Sequence, residues 1–166
     1  MTENMSEISK ILVLGIGNDI LTDDGIGPRL VTELEKEMDN DYLDFMTLAS
    51  GGLEILEMIK DYKSVIIIDA IKTKNGIPGN IYYLTPSNFK ETLHISSFHD
   101  VSFLTALRLA DKLEMTIPER INIIAVEILE DLTFSSSFSK PIAEKYPQIF
   151  QEVQEKVLEL IQQNIT

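Results

Sequence analysis

The 166-residue chain predicts an α/β protein with helices on both faces of one mostly parallel sheet. Three observations carry this prediction. Apolar runs typical of strands alternate with amphipathic helical segments, and one run, Val65–Ile68, is continuously apolar, as in strands buried on both faces. The connection between the strands predicted at Ser64–Ala70 and Asn80–Leu84 is also too short to contain a helix. We therefore expect a three-layer α/β/α sandwich with an antiparallel edge strand, formed by residues 1–166 as a single domain.

The first half of the chain alternates between strands and helices. The apolar run Ile11–Leu14 predicts the first strand, and Leu43–Leu48 predicts the second. Between them, apolar residues recur at steps of four over Ile26–Met38, which predicts an amphipathic helix. A pair of glycines after the second strand leads into a short predicted helix, Leu53–Ile59. Residues 1–9 resemble a frayed leader.

The second half supplies the remaining elements in the order strand, strand, helix, strand, helix. They are predicted at Ser64–Ala70, Asn80–Leu84, Val101–Leu113, Asn122–Val126 and Lys140–Ile161. Turn signals fill the short connection between the first two of these strands, so we expect them to run antiparallel. Pro147 is expected to break the last helix.

Composition and charge exclude several classes of function. With 14 Lys and Arg against 27 Asp and Glu, the formal net charge is −13, which argues against nucleic-acid binding and favours a cation or a basic partner. The absence of cysteine rules out disulfides, zinc–thiolate sites and a cysteine nucleophile. No apolar run reaches the roughly 20 residues that span a membrane. No secretory signal is visible, so we expect a cytoplasmic protein without membrane contact.

Three side chains form a candidate metal site. Asp24 follows the first strand and its glycine turn, Asp69 ends the central apolar strand, and His99 precedes the helix predicted at Val101. Sheets of this class bind ligands at the carboxyl ends of their strands. Two carboxylates and an imidazole suit a divalent transition ion such as nickel or zinc, and three protein ligands leave coordination positions open for a substrate group.

Each of these residues also has a plainer structural interpretation. Asp24 could cap the helix that follows it, Asp69 could cap a turn, and His99 could be an ordinary loop histidine. The second histidine, His94, has no companion signal and is expected at the surface.

The glycines favour turns over a nucleotide site. Gly15-Ile16-Gly17 resembles the start of a dinucleotide-binding fingerprint, but the third glycine is missing because position 20 is Ile20. We interpret these glycines as positions of tight turning and close backbone approach. The usual serine-nucleophile and zinc-protease motifs are absent as well.

Four segments, taken in order, resemble the hydrogenase maturation endopeptidase family, whose members trim the C-terminus of the large subunit of nickel–iron hydrogenases after nickel insertion. They are Gly15–Asn18, Leu21–Gly27, Ile68–Ala70 and Ser97–Asp100. The resemblance extends from Lys10 to about Ile161. The first two segments are the more specific, because they join Gly-x-Gly-Asn to an acidic pair and Gly-x-Gly at fixed spacing.

The resemblance implies a site and a substrate. The metal-site residues of the family carry over to Asp24, Asp69 and His99, and the two acids are also implied as catalytic groups. The resemblance implies that the metal is nickel carried by the substrate, although zinc, cadmium or another divalent ion could occupy the same ligands. Substrate contact is assigned to Gly15, Gly17, Asn18, Gly51 and Gly52.

Two departures from the family pattern bear on substrate choice. Members often carry an aspartate before the paired glycines, where this chain has Ser50. Many also have a proline near the turn after the fifth strand, where this chain reads Val126 to Asp131 and is about one residue longer.

The resulting hypothesis is an endopeptidase that removes the C-terminal extension of a nickel-loaded hydrogenase large-subunit precursor. The alternative is a non-enzymatic metal-binding or partner-binding module on the same fold, since a fold does not determine a function.

Overall fold

The computed structural model describes residues 10–38, 40–49, 51–91 and 98–165, with only the backbone described at 89–91, 98–102 and 104. In chain order its elements are β1 (Ile11–Ile16), α1 (Ile26–Glu37), β2 (Leu43–Leu48), α2 (Leu53–Ile59), β3 (Ser64–Ile71), β4 (Ile81–Leu84), α3 (Pro86–Glu91), α4 (Phe98–Lys112), β5 (Arg120–Glu127) and α5 (Lys140–Ile165). A 3-10 turn, Thr22–Gly25, leads into α1.

The five strands form one sheet in the order β2-β1-β3-β5-β4. All neighbouring strands are parallel except β4, which pairs antiparallel with β5 at the edge. This confirms the predicted sheet and its antiparallel edge. Because β1 lies between β2 and β3, the connection from β1 leads to one side of the sheet and the connection from β2 leads back past β1 to the other side. The carboxyl ends of β1 and β3 therefore border the switch point where sheets of this kind bind ligands.

Two apolar cores lie on opposite faces of the sheet, and they confirm the three layers. Alternate residues of β3 point to opposite faces, as the period of a strand requires. Ile66 and Ile68 pack with α1 and α5 in one core, whereas Val65 and Ile67 pack with α2 and α4 in the other. Among the described residues, no helix combines the length and apolar character needed to cross a membrane.

Glycines allow α1 to lie directly on the sheet. A Cβ added at Gly27 would stand 2.5 Å from the carbonyl oxygen of Ile68 and 2.6 Å from that of Ile16. A Cβ at Gly15 would stand 2.6 Å from the carbonyl oxygen of Gly27. Only glycine permits this approach, and it fixes the first turn of α1 above the carboxyl ends of β1 and β3.

The predicted break at Pro147 was wrong, because α5 is continuous from Lys140 to Ile165. The proline ring removes one hydrogen bond to the preceding turn, which costs stability locally. However, Ile142 before the proline and Ile149 and Val153 after it are buried in the same core. The shared packing of both halves outweighs the lost hydrogen bond.

Two boundaries differ from the predictions in ways that affect the site. The helix α4 begins at Phe98 and not at Val101, so His99 lies in its first turn and not in a preceding loop. The strand β3 continues to Ile71, so Asp69 lies inside the strand and does not end it.

We expect Gly27→Ala to lower the free energy of unfolding by about 1–3 kcal/mol, because the added methyl group meets fixed backbone atoms and must displace α1. Urea denaturation followed by circular dichroism would measure the loss. Glu35→Ala, an exposed position on the same helix, is the matched control and should change stability little. Equal stability of the two variants would show that the contact is not tight.

Candidate functional site

Asp24 lies at the carboxyl edge of the sheet, in the 3-10 turn between β1 and α1. Its Oδ2 accepts a hydrogen bond of 2.8 Å from the backbone amide of Asn18. Gly17 has a φ of +142°, and a side chain there would collide with the carbonyl oxygen of Asp24. The N-cap residue of α1 is Gly25, so Asp24 is not the N-cap of that helix. Gly17 and Asn18 thus position the Asp24 carboxylate.

The glycine turn is also committed to internal hydrogen bonds. The amide of Gly17 donates to the carbonyl oxygen of Leu48 at 3.0 Å, and the amide of Asn18 donates to Asp24. A phosphate cradle needs such amides for its ligand. This arrangement therefore favours the interpretation of the glycines as turn residues over a nucleotide site.

Asp69 lies on β3 at the level where β1 ends. Gly15 of β1 pairs with Ile68, so the last residue of β1 is level with Asp69. Asp69 Oδ1 accepts the backbone amide of Ala70 at 2.8 Å. The 3-10 turn that carries Asp24 lies against β3. Both acids are buried near the switch point of the sheet, with 6% and 7% of their residue surface exposed.

The predicted metal set is only partly described. His99 belongs to the first turn of α4, but its side chain lies outside the described residues, as does the whole of His94. Within residues 10–38, 40–49, 51–91 and 98–165, no three His, Asp or Glu side chains are grouped to hold a metal ion. The ligand set of Asp24, Asp69 and His99 therefore stays a prediction.

The glycines assigned to substrate contact occupy different environments. Gly15 is buried within β1, where it admits α1. Gly51 and Gly52 follow β2 at the same edge of the sheet and are partly exposed, and Gly52 enters α2 with a φ of +85°. Ser50 lies outside the described residues. The assignment of these glycines to substrate contact stays a prediction.

Asp23 is a structural anchor that the motif analysis did not single out. Its carboxylate is fully buried. Oδ1 accepts the amide of Ser139 at 2.7 Å, and Oδ2 accepts the hydroxyl of Ser139 at 2.7 Å. Oδ2 also accepts the amides of Leu129 and Glu130 at 3.1 and 2.9 Å. Asp23 thereby fastens the loop between β5 and α5, residues 128–139, to the turn that carries Asp24.

Thr22 holds a strained backbone beside the site. Its φ of +52° is rare for a β-branched residue. The amide of Thr22 donates to the carbonyl oxygen of Ser135 at 2.9 Å, and its hydroxyl donates to the carbonyl oxygen of Thr133. In return, the amide of Ser135 donates to the carbonyl oxygen of Ile20 at 2.9 Å. Strain of this kind persists only where surrounding contacts impose it, and it clusters at functional sites.

The β5–α5 loop also has internal order. Glu130 Oε1 accepts the amides of Leu132 and Thr133 at 2.7 and 3.1 Å. The bond from the Leu132 amide is the main cause that lowers the pKa of the Glu130 carboxyl below its ordinary value. Asp131 pairs with Lys72 at 3.1 Å. The loop is thus tied to the body of the protein along its length.

A second buried acid orders the neighbouring loop. Glu127, at the end of β5, accepts the amide of Thr73 at 2.7 Å and its hydroxyl at 2.8 Å. A side chain at Gly76 would collide with this carboxylate. Glu127 therefore shapes the connection between β3 and β4, just beyond the strand that carries Asp69.

Comparisons with known proteins agree on one family. The family model described as hydrogenase maturation protease matches residues 28–156, from the first turn of α1 into α5. The chain is 31% identical over 122 residues to the Hydrogenase 2 maturation protease of Escherichia coli (strain K12), covering 70% of this chain and 72% of that protein. It is 26% identical over 137 residues to the hydrogenase expression/formation protein HupD of Rhizobium leguminosarum bv. viciae, covering 80% and 66% respectively.

A solved structure supports the same fold and family. The hydrogenase maturating endopeptidase HybD from E. coli superposes with a TM-score of 0.70 at 26% identity, over 90% of this chain and 93% of that one. The similarity therefore includes the segment before residue 28, where the family model does not match.

We expect Asp23→Asn to lower the free energy of unfolding by about 3 kcal/mol, because an amide nitrogen replaces an oxygen that accepts from buried donors. The amides of Leu129, Glu130 and Ser139 should exchange faster with deuterium, which mass spectrometry would detect. Asp131→Asn is the control. It removes a partly exposed ion pair and should cost less than about 1 kcal/mol. Unchanged exchange in Asp23→Asn would show that the loop does not depend on Asp23.

Proposed function

The chain belongs to the hydrogenase maturation protease family, and from that premise we propose that Asp24, Asp69 and His99 recognise nickel carried by a hydrogenase large-subunit precursor. The membership establishes an endopeptidase role in hydrogenase maturation. The proposed substrate is the precursor with its C-terminal extension still attached. Cleavage of that extension follows nickel insertion.

The observation that carries the proposal is the pair of carboxylates at the switch point. Asp69 lies on β3 level with the last residue of β1, and the 3-10 turn that carries Asp24 follows β1 and lies against β3. Both retain limited exposure to solvent. Carboxylate oxygens are suitable ligands for divalent ions.

The position of His99 in the fold is compatible with a third ligand. Asp69 shares its face of β3 with Ile67 and Ile71, and this face is covered by α2 and α4. His99 lies one helical turn before Phe103, which packs in that same core. A helix of fifteen residues extends over about 22 Å, and the end of α4 leads into the start of β5 at the amino edge. This path favours a first turn of α4 near the carboxyl edge.

Recognition of nickel would place the scissile peptide beside two acids. Contact between the substrate's metal and the Asp24 and Asp69 carboxylates would hold the extension in place, which converts hydrolysis into a positioned reaction. Hydrolysis requires a water molecule activated beside the scissile carbonyl group. One of the two carboxylates can accept the water's proton as a general base, and the substrate's nickel can polarise the carbonyl oxygen.

The non-enzymatic alternative has less support. This alternative rests only on the general rule that a fold does not determine a function. The relatives reported above are proteases or take part in hydrogenase formation. Family membership decides between the two hypotheses, because a metal-binding or partner-binding module could carry the same two acids.

We expect Asp69→Asn to abolish cleavage of the precursor while leaving the fold intact. Asn is nearly the same size, and its Oδ1 can still accept the amide of Ala70, but it lacks the negative charge that binds the cation. Mass spectrometry would follow loss of the extension, and a thermal melt would report the fold. Asp111→Asn, at an exposed position on α4, is the control and should cleave at the parental rate. Parental activity in Asp69→Asn would show that Asp69 is a structural residue.

We also expect the enzyme to discriminate between two forms of the same precursor. The form assembled with nickel should be cleaved, and the form assembled without nickel should remain intact, because the two acids then have no cation to contact. The two forms can be compared at equal concentration by electrophoresis. Equal cleavage of both forms would contradict nickel recognition without contradicting protease activity.

A further inference from the structure

The two most exposed large apolar side chains of the described residues lie two positions apart in the β5–α5 loop. Leu132 is 82% exposed and Phe134 is 78% exposed. Single exposed apolar residues are common on protein surfaces and need no explanation. Two such residues, two positions apart and beside a candidate active site, form an apolar surface where a substrate could bind.

The backbone beneath these side chains is fixed in place. Thr133 and Ser135 accept hydrogen bonds from Thr22, so their carbonyl groups point towards the protein. Leu132 and Phe134 alternate with them and stand in solvent. The amide of Leu132 donates to Glu130, which is itself bonded to Asp23. The exposure of the two apolar side chains is therefore built into an ordered loop.

We propose that Leu132 and Phe134 form a docking platform for an apolar segment of the hydrogenase precursor close to its cleavage site. This inference rests on the proposed function. The platform loop is bonded to Ile20, Thr22 and Asp23, and Asp24 is the next residue. A polypeptide whose scissile bond reaches Asp24 must therefore pass beside the platform.

The surrounding surface extends the platform towards the site. Ile20, just before the 3-10 turn, is 52% exposed, and Leu129, in the β5–α5 loop, is 49% exposed. Hydrogen bonds join these two segments. A rigid apolar surface binds its partner at a lower entropic cost than a flexible one. Aromatic side chains are enriched in the central contacts of protein interfaces, which fits Phe134 as the main contact.

Charge argues against a second copy of this chain as the occupant. Each copy carries a net charge of −13, so two copies repel one another. Glu130 and Asp131 lie within the same loop and would approach their counterparts across a dimer interface. The substrate precursor is the occupant that the catalytic role itself brings to this edge of the sheet.

The test replaces both platform residues with small polar ones, Leu132→Ser together with Phe134→Ser. We expect KM for the nickel-loaded precursor to rise at least about tenfold, with kcat changed less than about twofold, because the platform binds substrate and takes no part in the chemistry. Leu113→Ser, at a 60% exposed position just after α4, is the matched control and should keep the parental KM. Thermal melts of both variants should match the parent, because these side chains are mostly in solvent.

Other outcomes would overturn the platform. A parental KM in the double variant would do so, and so would a fall in kcat alone, which would indicate that the loop only positions Asp24. Size-exclusion chromatography that shows a parental dimer and a monomeric double variant would assign the surface to self-association. Calorimetric binding of the nickel-loaded precursor separates the two proposals. Binding that is lost in the double variant and kept in Leu113→Ser supports the platform, even if the parent fails to cleave and the proposed function falls.

Discussion

The buried carboxylate of Asp23 is the interaction on which the site depends. It accepts four hydrogen bonds from a loop that lies more than a hundred residues further along the chain. A buried charge is stable only when its oxygens are satisfied, and here the donors come from backbone amides and one hydroxyl. Thr22, in a strained conformation, adds to this connection, because its amide and hydroxyl donate to Ser135 and Thr133 of the same loop. The position of Asp24 follows from this constraint.

Glycines provide the second constraint, because the absence of a side chain lets backbone segments approach closely. Gly27 and Gly15 let α1 rest on the backbones of β1 and β3, and Gly17 lets the chain pass the carbonyl group of Asp24. Together they set the height of the 3-10 turn above the sheet. The register of β1 and β3 places Asp69 level with the end of β1, from which the chain leads into that turn. A glycine pair that resembles only the start of a nucleotide-binding turn thus helps to position a carboxylate.

The sheet could be predicted from the sequence because its signals are local. The apolar run Val65–Ile68 and the short connection to β4 indicate a buried parallel strand and an antiparallel edge without any knowledge of the tertiary structure. The errors occurred where tertiary packing decides. Pro147 fits the rule for a helix break, yet burial on both sides maintains α5, and α3, with six residues, is too short to show a helical period. The acids Asp23 and Asp24 differ by one position, and spacing alone cannot assign one to the interior, because the donors that decide it lie in residues 129–139.

The adjacent acids Asp23 and Asp24 lie in different environments and have different roles at this edge of the sheet. The Asp23 carboxylate is fully buried and accepts hydrogen bonds from the β5–α5 loop, whereas Asp24 keeps a small exposed surface at the switch point. Since one peptide unit joins them, the loop is fastened directly beside the residue that carries the Asp24 carboxylate. The apolar side chains of Leu132 and Phe134 stand on that same loop. A substrate that contacts them would therefore be held by the same loop that Asp23 fastens beside Asp24.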